Sequence, residues 1–139
     1  DPRGGRAEAF PLPTSWSGPR RFDVDSPGVL WIPEYSNNRL ARFDPRTKRF
    51  DEHALPIRDA VPYIARVHPR TGAIWIGTAA ADAVLRFDPA SRAFTAYRLP
   101  TRGATVRHLT FDPANGDVWL AYGASPALHP ARIARLRAR

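Results

Sequence analysis

The chain has 139 residues, a net charge of +8, no cysteine and no methionine. The length suits one ordinary domain. The missing cysteines exclude a disulfide framework and any thiolate metal site. No apolar run is long enough to span a bilayer, because Gly77 and Asp82 interrupt the stretch around Ala79, Ala80 and Ala81. No signal peptide is visible, and Asp1 reads as a processing point or a fragment edge. The compartment stays open between secreted, periplasmic and cytoplasmic.

In chain order, Asp1-Pro2-Arg3-Gly4-Gly5 reads as a turn, and Ala7 to Pro13 as an outer strand ending in Leu12-Pro13. Residues 14–57 then read as four strands, A to D: Arg20 to Val24, Val29 to Glu34, Arg39 to Asp44 and Arg49 to Leu55. Residues 58–101 repeat the order, with A at Tyr63 to Val67, B at Ala73 to Thr78, C at Ala83 to Asp88 and D at Ala93 to Leu99. Residues 102–139 supply A at Arg107 to Phe111, B at Asp117 to Tyr122, a longer loop from Gly123 to Pro130, and C at Ala131 to Leu136. The connecting turns have a mechanism. In His68-Pro69-Arg70-Thr71-Gly72, proline presets one dihedral and glycine accepts positive φ. The B strands are apolar at successive positions, the mark of strands covered on both faces.

Trp31, Trp75 and Trp119 stand 44 residues apart, each inside a similar apolar phrase. Arg42-Phe43-Asp44-Pro45 returns as Arg86-Phe87-Asp88-Pro89 on the same beat. A period in the forties built from short strands predicts β-propeller blades. The fold class is therefore all-β: a propeller fragment of about three four-stranded antiparallel blades that does not close a ring by itself. One domain is expected, with residues 1–13 as the outer strand of a preceding blade or a closing strand for the last. Closed propellers have four to eight blades. The chain is thus either part of a longer propeller or a half that assembles with a second copy into six blades.

In an antiparallel blade, the start of strand A lies beside the end of strand B. This predicts one ligand face that collects Arg20 with Glu34, Tyr63 with Thr78, and Arg107 with Tyr122. The loops add Tyr35, Ser36, Asn37, Asn38, Asp82 and His129, and His108 faces either the channel or a neighbouring blade. The expected partner on this face is a small molecule or peptide. His68 and His53 read as surface residues. The arginines form no single block, so they read as scattered solvent-facing positions rather than a nucleic-acid footprint. Neither nucleic acid nor a membrane is expected as a partner. No phosphate loop, nucleophile elbow or paired-carboxylate motif occurs.

The run from Leu30-Trp31-Ile32-Pro33-Glu34 through Asn37-Asn38 to Arg42-Phe43-Asp44-Pro45 resembles the blade repeat of the streptogramin lyase (virginiamycin B lyase) family. The resemblance covers almost the whole chain, and related blades occur in NHL-like and gluconolactonase-like (SMP-30) proteins. It implies a seven-bladed parent and a carbon–oxygen lyase that opens a cyclic depsipeptide by elimination. A histidine would act as base, and a carboxylate-held Mg²⁺ would offset the developing charge. The family pairs a Glu-Pro-His at the start of strand A with a glutamate at the end of strand B. Glu34 matches that glutamate and is the implied metal ligand, but Gly18-Pro19-Arg20 stands where Glu-Pro-His would be. Val61-Pro62-Tyr63 and Val106-Arg107 also lack the histidine. Arginine stays protonated and cannot serve as the base. Two other readings stand beside the lyase: a non-catalytic binding propeller using Arg20, Arg107 and the tyrosines, and a sugar-lactone hydrolase relative.

Overall fold

A computed structural model of the chain describes residues 4–5, 7–123 and 131–137. It contains strands and turns without helix among those residues. The first blade is β1 (Asp23–Val24), β2 (Leu30–Glu34), β3 (Arg39–Asp44) and β4 (Arg49–Ala54). The second is β5 (Pro62–Val67), β6 (Ile74–Thr78), β7 (Ala83–Asp88) and β8 (Ala93–Arg98). The third is β9 (Thr105–Phe111), β10 (Val118–Gly123) and β11 (Arg132–Leu136). Each sheet is antiparallel, with strands ordered as they follow in the chain. The sheets form three blades and no closed ring.

Alternation decides which side chain meets which blade. On β2, Trp31 points to the second blade and joins Leu40, Ile74, Ile76, Leu85 and Phe87 in one buried cluster. On β6, Ile74 and Ile76 face that cluster, while Trp75, on the opposite face, points to the third blade and shares a second cluster with Val84, Val106, Leu109, Val118 and Leu120. Burying each such aliphatic or aromatic side chain contributes about 1.5–3 kcal/mol, so these two interfaces hold the molecule together. Gly77 belongs to the second interface for want of a side chain: a Cβ there would stand 2.7 Å from Val106 Cγ1 and 2.8 Å from Ile64 Cγ2. Trp119 has the same place on β10, and no described blade covers it. It is 36% exposed, against 2% for Trp31 and 6% for Trp75.

The first inner strand departs from expectation. Arg20 to Val24 was to form one strand, yet only Asp23–Val24 pairs with β2 in a ladder. Arg21 instead makes a parallel bridge to Ile64, through Arg21 N–H to Tyr63 O and Ala65 N–H to Arg21 O. Its backbone is drawn to the neighbouring inner strand, and the ladder to β2 breaks there. Residues 7–13 form no ladder with any described strand. They lie on the first blade, where Phe10 and Leu12 pack against Ile32, Phe43 and Phe50.

Two histidines expected at the surface lie between blades. His68 is 4% exposed. Its Nδ1 accepts from the Arg70 and Thr71 amides, so the proton sits on Nε2, which donates to Gly116 O of the third blade. The imidazole thus does the turn-closing work of an aspartate and also ties two blades. His53, on β4, packs its ring 4.7 Å from Phe87 of the second blade. Burial holds its pKa below the ordinary histidine value; Asp51 opposes that shift, while Arg92 and Arg42 reinforce it.

Candidate functional site

The inner-strand ends bring together a cationic, aromatic patch. Arg20 follows the isolated bridge of Pro19 to Glu34, and its guanidinium lies 4.6 Å from the centre of the Tyr35 ring. Tyr35 meets Tyr63 edge-on at 6.2 Å. Arg21 stacks over Tyr63 at 5.6 Å, and its Nη1 donates to Arg107 O in the third blade. Three blades therefore contribute to one cluster. Arg20, Arg21 and Arg107 are exposed, and none has a carboxylate partner among the described residues. Cation–π contact at such sites is worth about 0.5–1 kcal/mol each. That is enough to orient the Arg20 and Arg21 guanidinium planes while their donors, apart from Arg21 Nη1, stay open to an anion. Arg107 also borders an open groove of about 470 Å³ with Thr105, Tyr122, Arg132 and Ile133.

The strand-B ends behave differently from the expected ligand face. Glu34 and Thr78 are fully buried, and Tyr122 is 5% exposed. All three point into blade faces. Thr78 Oγ1 donates to Ala83 O at 2.6 Å, and the Tyr122 hydroxyl lies 3.1 Å from Thr101 Oγ1. Glu34 and Arg20, expected as companions, do not pair. The reason is parity: Tyr35 continues toward the inner end, whereas Glu34 shares its face with Leu30 and Ile32.

Glu34 instead lies near Glu52 of β4. Glu52 accepts from the Thr14 amide and hydroxyl at 3.1 and 2.7 Å, and from Arg39 at 3.0 Å. Burial pushes the Glu52 pKa up, but the bonds from Thr14, with help from Glu34 and Arg39, hold it below the ordinary value. Among the described residues, no N–H or hydroxyl group donates to either Glu34 oxygen. Two carboxylates offer only acceptors, so contact between them needs a proton on one. Glu34 takes it. Burial first, then the Glu52 charge and a bond donated to Glu52, raise its pKa to about 7, with Arg39 opposing.

Asn38 proves structural. It adopts φ 55°, donates through Nδ2 to Ile57 O, and accepts from the Ala60 amide. Asp82 repeats the device one blade later at φ 49°, accepting from the Ala104 amide at 2.7 Å. These residues clip the B–C loop to the D–A loop. The sequence does contain this signal, since Asn38 and Asp82 are 44 residues apart, as are Ala60 and Ala104. Asn37 donates to Ser15 O and is half-buried. His108 is exposed opposite Ala121, on the outward face of the third blade. His129 lies outside the described residues.

Three sheets of this order, packed face to face, leave one architecture. The fold is that of a β-propeller. Among solved structures, a streptogramin B lyase superposes with a TM-score of 0.76 at 22% identity, over 94% of this chain and 44% of that one. Virginiamycin B lyase from Staphylococcus aureus gives 0.73 at 21% identity, over 91% and 43%. The calcium-binding protein regucalcin from Agrobacterium tumefaciens gives 0.62 at 15% identity, over 88% and 41%. The chain thus spans less than half the length of each. At these identities the likeness is one of fold. No protein-family model matches the chain, and no curated protein matches it by sequence.

The implied Mg²⁺ does not fit the residues around Glu34. Mg²⁺ demands several oxygen ligands in near-octahedral array. Glu52 is already engaged by Thr14 and by the Arg39 cation, and no group of three His, Asp or Glu side chains converges among the described residues.

Proposed function

We propose that this chain is a ligand-binding propeller segment whose site is the Arg20–Tyr35–Tyr63–Arg21–Arg107 patch. The ligand is a small molecule or peptide with an anionic group beside a planar one. The observation that carries the reading is the convergence of the exposed Arg20 and Arg21 guanidinium groups, without carboxylate partners among the described residues, beside the Tyr35 and Tyr63 rings, with the Arg107 carbonyl holding Arg21 in place. Guanidinium forks suit carboxylates and phosphates, and phenol faces suit flat groups. Glu34 takes no part, because it is buried on another face.

The lyase reading is the rival, supported by the propeller likeness at a TM-score of 0.76. One neighbouring structure is a catalytically inactive histidine-to-alanine variant of virginiamycin B lyase with quinupristin. Here no histidine stands at the inner-strand starts Arg20 and Tyr63. Calorimetric titration with benzoate, phenyl phosphate and quinupristin, the last with and without Mg²⁺, discriminates. Binding of an anionic aromatic that weakens about tenfold in Arg20→Ala is the expected result. Mg²⁺-dependent linearisation of quinupristin, seen by mass spectrometry and lost in Glu34→Gln, would replace the binding reading with the lyase.

A further inference from the structure

We propose that Trp16 is the specificity-determining residue of the ligand site described above, and that it selects an aromatic peptide ending in a carboxylate over a single anionic ring. The assignment rests on that site and narrows its ligand.

Trp16 is 93% exposed, more than any other large apolar side chain among the described residues. It stands in the loop between segment 7–13 and the first inner strand, and hydrogen bonds fix the backbone around it. Ser15 O accepts from Asn37 Nδ2 at 3.0 Å, Ser17 O from the Ser36 amide at 3.0 Å and Gly18 O from the Tyr35 amide at 3.2 Å. The next loop has the same framework, since Ala60 O accepts from the Ala80 amide and Val61 O from the Ala79 amide. Ser17 thus corresponds to Ala60, and Trp16 to Asp59. In the third loop Asp82 holds the Ala104 amide as Asn38 holds that of Ala60, so the corresponding residue is Gly103. All three have positive φ, at 58°, 52° and 70°. Glycine and aspartate tolerate that conformation, whereas a bulky side chain is strained in it.

The corresponding positions show what the exposure means. Asp59 lies between the first and second blades and Gly103 between the second and third, and both are exposed, the Asp59 side chain at 87%. One place on, Ser17, Ala60 and Ala104 are all buried. The place of Trp16 therefore faces solvent even where a blade stands on either side, and a neighbouring blade does not account for its indole. The loop holds a strained backbone for a side chain that gains almost no burial. Strain kept in place by surrounding hydrogen bonds, without a return in packing, marks a functional position.

Its neighbours set the ligand chemistry. Trp16 is two residues from Gly18, which meets Tyr35, and four from Arg20, whose guanidinium lies over the Tyr35 ring. Two residues span at most about 7 Å and four about 14 Å. An indole, a phenol ring and a guanidinium fork thus follow one another along one short edge. A single ring with one anionic group satisfies Tyr35 and Arg20 and leaves Trp16 idle. A peptide carries a second ring on the residue before its last, within reach of the indole, while its terminal carboxylate matches the guanidinium donors.

Calorimetric titration of the 139-residue chain with benzoate and with N-acetyl-Phe-Phe tests this. The dipeptide is expected to bind about tenfold more tightly than benzoate, the gain from one added aromatic contact. Trp16→Gly is expected to abolish that preference and leave benzoate binding unchanged, whereas Trp16→Phe retains most of it. The melting temperature of Trp16→Gly is expected within about 3 °C of the parent's, because relief at φ 58° offsets the added freedom of the unfolded chain. Bound dipeptide should protect tryptophan fluorescence from acrylamide in the parent but not in Trp16→Gly. A preference that survives in Trp16→Gly, an equal loss of benzoate and dipeptide binding, or a larger fall in melting temperature would overturn the assignment. So would equal affinity of the parent for both probes. Benzoate binding that Arg20→Ala leaves unchanged would overturn the ligand site itself, and the assignment with it.

Discussion

Glu34 shows how a single side chain can look functional and serve packing. Its pKa of about 7 lies above the ordinary glutamate value of 4.5, so the native state binds its proton more tightly than the unfolded state. The stabilisation is complete below about pH 4.5 and is lost as pH rises through about 7. Glu34→Gln keeps the shape and a donor toward Glu52 without the charge. It is expected to be more stable than the parent at pH 8 by about 1–3 kcal/mol, the range allowing for solvent screening. The gain should shrink toward pH 5, as read from urea melts at both values. Equal differences at the two pH values would show that Glu34 does not titrate near 7. His68 teaches a related lesson. Its turn motif was legible, but the tie to Gly116 of another blade was not, because sequence spacing carries no information about which turn lies alongside.

At the scale of elements, the Trp-centred strands β2, β6 and β10 fell within a residue of their expected bounds. Their apolar runs and their proline and glycine turns are local signals. The first inner strand failed because Arg21 pairs with a neighbouring blade, a choice made between elements. The loop clip also belongs here. Asn38→Ala removes two hydrogen bonds and puts alanine at φ 55°. The expected loss is about 1–3 kcal/mol. Asp82→Ala should lose a comparable amount, since it holds the second clip in the same way. Thermal unfolding of both single variants checks this. If either is neutral, the clip does not stabilise the blade. Gly77 constrains the second interface as closely: Gly77→Ala puts a methyl against Ile64 and Val106 and is expected to cost about 1–3 kcal/mol by the same assay.

For the whole molecule, the two end faces decide behaviour in solution. Trp119 and Ile133 are exposed on one, and Phe22 is 53% exposed beside the other. Isolated monomers rarely leave such surfaces together without use. If association covers them, the melting temperature must rise with protein concentration, because association draws the equilibrium toward the folded state. A tenfold increase in concentration is expected to raise it by a few degrees, and Ile133→Asp should abolish the dependence. A melting temperature independent of concentration in the parent chain would show that these faces do not associate.

By itself the sequence determined the blade. The 44-residue interval, the apolar middle strands and the turn residues are near-neighbour properties, and the antiparallel ladders run within each repeat. Of the residues that meet at the inner-strand ends, it named Arg20, Tyr35 and Tyr63 but not Arg21, whose place depends on its bridge to the neighbouring blade. Tertiary structure alone decided which of the expected residues face solvent. Side chains alternate across a strand, so a shift of one position exchanges a ligand face for a blade interface. Tyr35 went one way and Glu34 the other for that reason, and only packed neighbouring blades could reveal it.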